Sequence, residues 1–205
     1  NRDAAQAGGA AYSSRAGFAR RYDNSIRYDS PNFDGFSGAI QVNFGENKPA
    51  VTGSAARGYA LNLSYVNGPL AVTLANQNDK AAGANVKSTN TTALGGSYDF
   101  GPAKLNLGYI RENRAAVRGT ASNDSARTVN IGVVVPVDAF TFVAQYANTN
   151  ASNHAGSSKS FALEGRYALS KRTTAYAGYN NTRNSIGGGV AVKSNRFGVG
   201  IRHVF

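Results

Sequence analysis

The chain closes on Arg196-Phe197-Gly198-Val199-Gly200-Ile201-Arg202-His203-Val204-Phe205, a stretch that alternates with a two-residue period. A β-strand sends successive side chains to opposite faces. Phe197, Val199, Ile201, His203 and Phe205 therefore share one face, and Arg196, Gly198, Gly200 and Arg202 share the other. The same division recurs upstream. Tyr59, Leu61, Leu63 and Tyr65 oppose Ala60, Asn62 and Ser64, while Val129, Ile131, Val133 and Val135 oppose Thr128, Asn130 and Gly132. Phe161, Leu163, Tyr167 and Leu169 oppose Ser160, Glu164 and Arg166; Ile110 and Val134 break the rule by falling on the polar face. A soluble sandwich would turn the apolar face into a core. Small and charged residues opposite it instead fit a wide, wet interior with lipid outside.

Extending the alternation along the chain predicts eleven strands, at about 24–30, 36–45, 56–66, 70–79, 90–100, 103–113, 127–137, 140–149, 158–168, 173–183 and 194–205. Their connections are of two kinds. Ser30-Pro31-Asn32-Phe33-Asp34-Gly35, Asn67-Gly68-Pro69, Gly101-Pro102, Val137-Asp138-Ala139 and Ser170-Lys171-Arg172 are tight and rich in turn formers. Between them come longer polar loops at roughly 46–55, 80–89, 114–126, 150–157 and 184–193. Strict alternation of short turns with long loops is the pattern of an outer-membrane barrel, whereas a Greek-key sandwich mixes its connection lengths. The expected fold is all-β: an antiparallel, up-and-down transmembrane β-barrel. Aromatics near strand ends (Phe36 and Phe44, Tyr59 and Tyr65, Tyr98 and Phe100, Phe140 and Tyr146) match the girdles at the membrane interfaces.

Composition narrows the function. Gly is abundant at 24 residues, with 11 Tyr and 10 Phe, and the mean hydropathy is an ordinary −0.34. No apolar run is long enough for a membrane-crossing helix. Cysteine is absent, which excludes disulfides and thiolate metal sites. With only His154 and His203, neither beside a suitable serine, no hydrolase triad is legible, and metal-ligand spacing is absent. Gly187-Gly188-Gly189 lacks the strand–loop–helix context of a phosphate cradle. No enzyme activity, cofactor or metal is therefore expected. The formal charge of +11 favours an anionic partner: nucleic acid, an anionic membrane or an anionic solute. Tyr12, Arg15, Phe18, Arg20, Arg21 and Tyr22 keep a nucleic-acid-binding β-protein open as an alternative.

Topology adds a constraint. If the long loops are extracellular, the strand at 24–30 descends, and residues 1–23 lie outside or within the pore. A single-chain bacterial barrel has an even strand number and periplasmic termini. Eleven strands beginning at the top fail both conditions, so further strands are expected before Asn1 or from elsewhere.

The run Arg21-Tyr22-Asp23-Asn24-Ser25-Ile26-Arg27-Tyr28-Asp29-Ser30-Pro31-Asn32-Phe33-Asp34-Gly35-Phe36 closely resembles a segment of the β-proteobacterial general porins. Leu169-Ser170-Lys171-Arg172-Thr173 resembles that family's last periplasmic turn, and Val199-Gly200-Ile201-Arg202-His203-Val204-Phe205 its ending. The resemblance covers about residues 20–205. It implies a trimeric barrel of roughly sixteen strands, of which this chain holds the later ones. Residues 1–23 would be the tail of a loop that folds inward and constricts the pore, and 24–205 the C-terminal part of the barrel.

A pore of this kind breaks no bond; it acts through a charged, water-filled constriction. Arg15, Arg20 and Arg21 are the expected constriction residues, with Arg21 best aligned. Arg27, Lys104, Arg166, Arg196 and Arg202 are expected to line the lumen, with Glu112 and Glu164 as partial counter-charges. Rings of Arg and Lys favour anions, so small anionic and polar solutes are the expected cargo. Arg111, Arg114 and Arg118 are loop-side and better suited to lipopolysaccharide. The resemblance also marks Phe197, Val199, Ile201 and Phe205 as a signal read by the barrel assembly machinery. A substrate-specific channel remains the second alternative, and the expected address is the bacterial outer membrane.

Overall fold

The computed structural model describes residues 22–45, 55–82, 88–113, 125–152, 156–185 and 191–205. These form β1 (Ser25–Asp29), β2 (Phe36–Asn43), β3 (Arg57–Asn67), β4 (Leu70–Lys80), β5 (Thr89–Asp99) and β6 (Lys104–Asn113). They continue as β7 (Ser125–Val137), β8 (Phe140–Ala151), β9 (Ser157–Ala168), β10 (Thr173–Ser185) and β11 (Val192–His203). Each strand pairs antiparallel with its sequence neighbour, so one 11-stranded sheet runs in chain order from β1 to β11. This is an up-and-down meander, and every strand end lies within two residues of its predicted place. The larger differences lie mostly at the loop end, where β7, β8, β10 and β11 run on into Ser125, Ala151, Ser185 and Val192. There both faces turn polar and the apolar signal stops, while the backbone ladder continues.

The tight connections follow from their residues. Gly68 has φ +52° and precedes Pro69; Asp138 has φ +50° in the matching two-residue turn between β7 and β8. A positive φ at the first loop position gives the backbone twist that hairpin strands need. Pro69 has no N–H to waste, and its carbonyl accepts the Asp99 N–H at 3.0 Å.

Register fixes the faces. Leu107 stands opposite Ile131, Ile131 opposite Tyr146, and Tyr146 opposite Phe161, giving a continuous apolar row across four strands. The other face carries Gln145 opposite Ala162 and Ala162 opposite Asn180. Burial is inverted relative to a soluble protein. Buried side chains include Gln77, Thr91, Glu112, Thr128, Thr149, Ser158, Ser160, Glu164, Asn180 and Thr182, all on the polar face. Phe197 is 74% exposed and Ile201 69%. A curved sheet crowds its concave side, where small and polar residues sit, and splays its convex side. So large an exposed apolar surface marks contact with lipid or a partner. Ile110 and Val134 do fall on the inner face, and Ile110 is buried there. At the turn end the outer face carries an aromatic rim, with Phe36 on Tyr65 at 4.3 Å between ring centroids and Phe140 on Tyr167 at 4.6 Å.

The two faces make different demands on a charge. Leu107→Arg puts a guanidinium on the apolar face near mid-strand and is expected to cost ~2–4 kcal/mol, whereas Asn106→Arg, one residue away on the inner face, should cost far less. Denaturant titration of the folded protein in lipid vesicles measures both. Equal losses would contradict the assigned faces.

Candidate functional site

The inner face gathers the charged side chains. Arg27 on β1 faces inward and pairs with Asp29 on the same face, Nη2 to Oδ1 at 2.6 Å and Nε to Oδ2 at 2.8 Å. Arg166 on β9 donates from Nε to Glu164, a carboxylate that is almost fully buried. Lys104 stands opposite Asp99 in the register of β5 and β6. Arg196 faces Asn180 and Arg202 faces Thr174 on β10. Glu112 is buried on the inner face of β6. All the predicted lumen residues therefore share one face.

Among the described residues that face carries no excess of positive charge. Asp29, Asp79 and Asp99 also point inward, so Arg27, Lys104, Arg166, Arg196 and Arg202 are matched by Asp29, Asp79, Asp99, Glu112 and Glu164. Two of these cations are in close pairs, Arg27 with Asp29 and Arg166 with Glu164, and close pairing of unlike charges cancels much of their field beyond a few ångströms. The signal for the three aspartates was available: each has the parity of a neighbouring inward residue.

One feature of the site has no counterpart in the strand pattern. Tyr22, just before β1, donates its hydroxyl proton to Asp79 Oδ1 on the inner face of β4. Gln77, 3% exposed, donates Nε2–H to the other oxygen of the same carboxylate. Burial, and then the Asp79 carboxylate, raise the Tyr22 pKa above its ordinary value, so the phenol stays a donor at neutral pH. Gly58 stands opposite Asp79, and a Cβ there would lie 2.6 Å from Asp79 Oδ1. A second link runs through Ser25, whose Oγ donates to the Tyr22 carbonyl at 3.1 Å and accepts from Gln41 Nε2 at 2.9 Å. The chain entering β1 is thus tied to the inner wall. Nearby, Arg27 and Gln41 border an open concavity left by the small Ala39, Ala60 and Ala75. Arg15, Arg20 and Arg21 lie outside the described residues, as do Arg114, Arg118, His154 and Gly187 to Gly189.

Phe197, Val199 and Ile201, which the sequence suggests as an assembly signal, are exposed on the outer face of β11, and Phe205 is fully exposed. The Val204 N–H donates to the Arg172 carbonyl at 2.9 Å, which holds the chain end against the last turn. His203 shares that face, with Nδ1 2.9 Å from Thr173 Oγ1 and its ring edge-on to Phe205 at 4.8 Å. Among the described residues no group of three His, Cys, Asp or Glu side chains could hold a metal.

Comparison with known proteins agrees with this geometry. A Gram-negative porin profile matches residues 2–187. An outer membrane porin protein of Bordetella pertussis is 30% identical over 90% of this chain and 58% of its own length. The chain superposes on the anion-selective porin from Comamonas acidovorans with a TM-score of 0.75 and 24% identity, over 90% of this chain and 60% of the other. It superposes on a trimer form of OmpT from Vibrio cholerae with a TM-score of 0.66 and 16% identity, over 89% and 64% of the two chains. The chain thus spans less than two-thirds of each of these relatives.

The Tyr22–Asp79 tether makes a testable claim on the segment before β1. Tyr22→Phe removes the donor, and Gly58→Val pushes the Asp79 carboxylate aside. Both are expected to speed tryptic cleavage after Arg21 in the folded, detergent-solubilised protein severalfold, with no new cleavage after Arg166 inside β9. Unchanged cleavage after Arg21 in both variants would show that the tether restrains nothing.

Proposed function

The chain belongs to the Gram-negative porin family of the outer membrane, and from that premise we propose that it builds the wall of a water-filled channel for passive diffusion of small hydrophilic solutes, with a preference for anions. The observation that carries this reading is the inverted partition of side chains. A face of exposed Leu, Val, Phe and Tyr suits lipid or an apolar partner surface, and a face of Asn, Thr, Ser and charged groups suits water. Nothing in such a wall breaks a bond, and conduction needs sites weak enough to leave.

Equal numbers of inward cations and anions among the described strand residues leave the sign of selectivity to the segment before β1. Residues 1–23 are proposed as the tail of an inward-folding constriction loop, with Arg15, Arg20 and Arg21 supplying a fixed positive field. Support comes from Tyr22, which leads from that segment straight to the inner wall, and from the permanent charge of guanidinium. The anion selectivity in the name of the Comamonas acidovorans porin points the same way. The open edges of β1 and β11 are proposed to be closed by further strands, because lipid leaves unpaired backbone groups unsatisfied. A homotrimer is proposed on the example of the OmpT trimer. Phe205, fully exposed at the chain end, is proposed as the signal read by the assembly machinery. Its deletion should lower the yield of folded protein in cells and leave the conductance of folded channels unchanged.

Selectivity is measured as the zero-current potential of the full-length channel in a KCl gradient. The wild type is expected to favour chloride strongly at low salt, fading toward ~1 M, where screening shortens to ~3 Å. Arg21→Glu should move the potential toward potassium, while Arg118→Glu, in a loop, should move it little. A channel that is cation-selective as wild type, or indifferent to reversal at both Arg20 and Arg21, overturns the assignment.

A further inference from the structure

The inner wall of β1 to β4 holds a cavity of about 120 Å³, on the turn side of the point where Tyr22 joins the wall. Two inner rows build it. Arg27, Gln41, Ala60 and Gln77 stand opposite one another across the four strands, and the next row toward the turns runs Asp29, Ala39, Asn62 and Ala75. Small residues are out of step between the rows, so Ala39, Ala60 and Ala75 surround Asn62 on three sides. Side chains opposite or diagonal on one face of a sheet are neighbours. The three methyls therefore form one shallow apolar floor, with Arg27 and Gln41 along its β1 edge. None of the six lining residues Arg27, Ala39, Gln41, Ala60, Asn62 and Ala75 is buried, whereas Gln77 and Thr91 beside them are. A solute in the lumen meets the wall here.

The polar atoms around the floor are committed in a way that leaves a definite set to a ligand. Arg27 gives Nε and Nη2 to Asp29, which fixes the guanidinium and leaves Nη1 to donate elsewhere. Ser25 Oγ spends its proton on the Tyr22 carbonyl, so it can only accept from Gln41 Nε2. That assigns the Gln41 amide, and its Oε1 is the atom left over, an acceptor. The Asn62 side chain makes no hydrogen bond to a described residue and keeps its N–H donors. No carboxylate lines the cavity. The site therefore offers one fixed cationic donor, one amide donor, one acceptor and three methyl groups.

We propose that this cavity is a transient subsite for a short 2-hydroxycarboxylate, of the size of lactate, on its way along the wall. The carboxylate sits over Ala39 and accepts from Arg27 Nη1 and the Asn62 amide, charge-assisted bonds that are stronger than neutral ones. The hydroxyl donates to Gln41 Oε1, one inner position along β2 from Ala39. The carbon body rests on Ala60 and Ala75. At ~30 Å³ per water the space holds ~4 waters, which suits a solute of a few carbons. Formate has the charge alone, propionate lacks the hydroxyl, and inorganic phosphate has no apolar body for the floor. Contact on one side only keeps the site weak, as conduction requires. The inference rests on the inner face being the wall of a water-filled channel, and it names a class of solute for that channel.

Single-channel conductance of the full-length protein tests it, recorded against concentration in potassium lactate, propionate and formate. All three anions carry one charge, so the fixed field of the pore acts on them alike. The lactate current is expected to reach half-saturation at a concentration at least ~10-fold below that for formate, with propionate between them. Ala60→Leu fills the floor without changing charge and should bring lactate to the formate value. Ala93→Leu adds the same bulk to the inner face of β5, outside the cavity, and should leave the lactate preference in place. Should Ala60→Leu not fold, Ala75→Leu on β4 fills the same floor. Equal half-saturation of lactate and either other anion in the wild type, or a lactate preference that survives in the filled variants, overturns the proposal. The zero-current potential in a KCl gradient, read on the same bilayers, separates the two levels of the account. Chloride preference without lactate saturation is a failure of this subsite alone, and a cation-selective wild type is a failure of the anion-channel reading.

Discussion

In hydrocarbon a backbone N–H or C=O has no water to turn to, and each one left unpaired costs several kcal/mol. Every other feature of this chain follows from that demand. Antiparallel pairing of each strand with its sequence neighbour satisfies the backbone locally, strand by strand, through turns of a few residues. Once the ladder is made, side chains are free to alternate, and the alternation sorts lipid from water. The same demand explains why β1 and β11 cannot stay edges in a membrane.

The sorting determines what each face can do. The outer face needs no specific packing, and among the described residues the only buried hydrophobic side chains are Ile110, Ala126, Ala147 and Ala162, all inner. The inner face tolerates charge because water and opposite charges reach it. Its close pairs, Arg27 with Asp29 and Arg166 with Glu164, hold guanidinium groups at fixed positions on the wall while contributing little net field. Tyr22 is held by Asp79 in a space that Gly58 leaves open, which fixes the start of β1 against the inner face.

Much of this was legible in the residues. Period-two alternation located the strands, and turn chemistry located the hairpins, because both are local and depend on one or two neighbouring residues. Strand ends at the loop side were harder to read, since Ser125 or Asn184 to Ser185 pair as strand without any apolar signal. The inner charge balance was misread by following Arg, Lys and Glu and passing over Asp29, Asp79 and Asp99, although parity placed them inward. The Tyr22–Asp79 contact joins residues 57 apart in sequence, and no local pattern announces it. Likewise only the register shows that Lys159, Arg183 and Lys193 are neighbours on the outer face.

The central claim is that one face of this sheet meets lipid and the other meets water. The chain has no cysteine, so single cysteines can be placed in turn from Arg196 to Arg202 on β11, where both faces are accessible, without background. In lipid vesicles, a charged, membrane-impermeant thiol reagent is expected to label positions 196, 198, 200 and 202 and to spare 197, 199 and 201. Uniform labelling, uniform protection or the opposite parity would contradict the account.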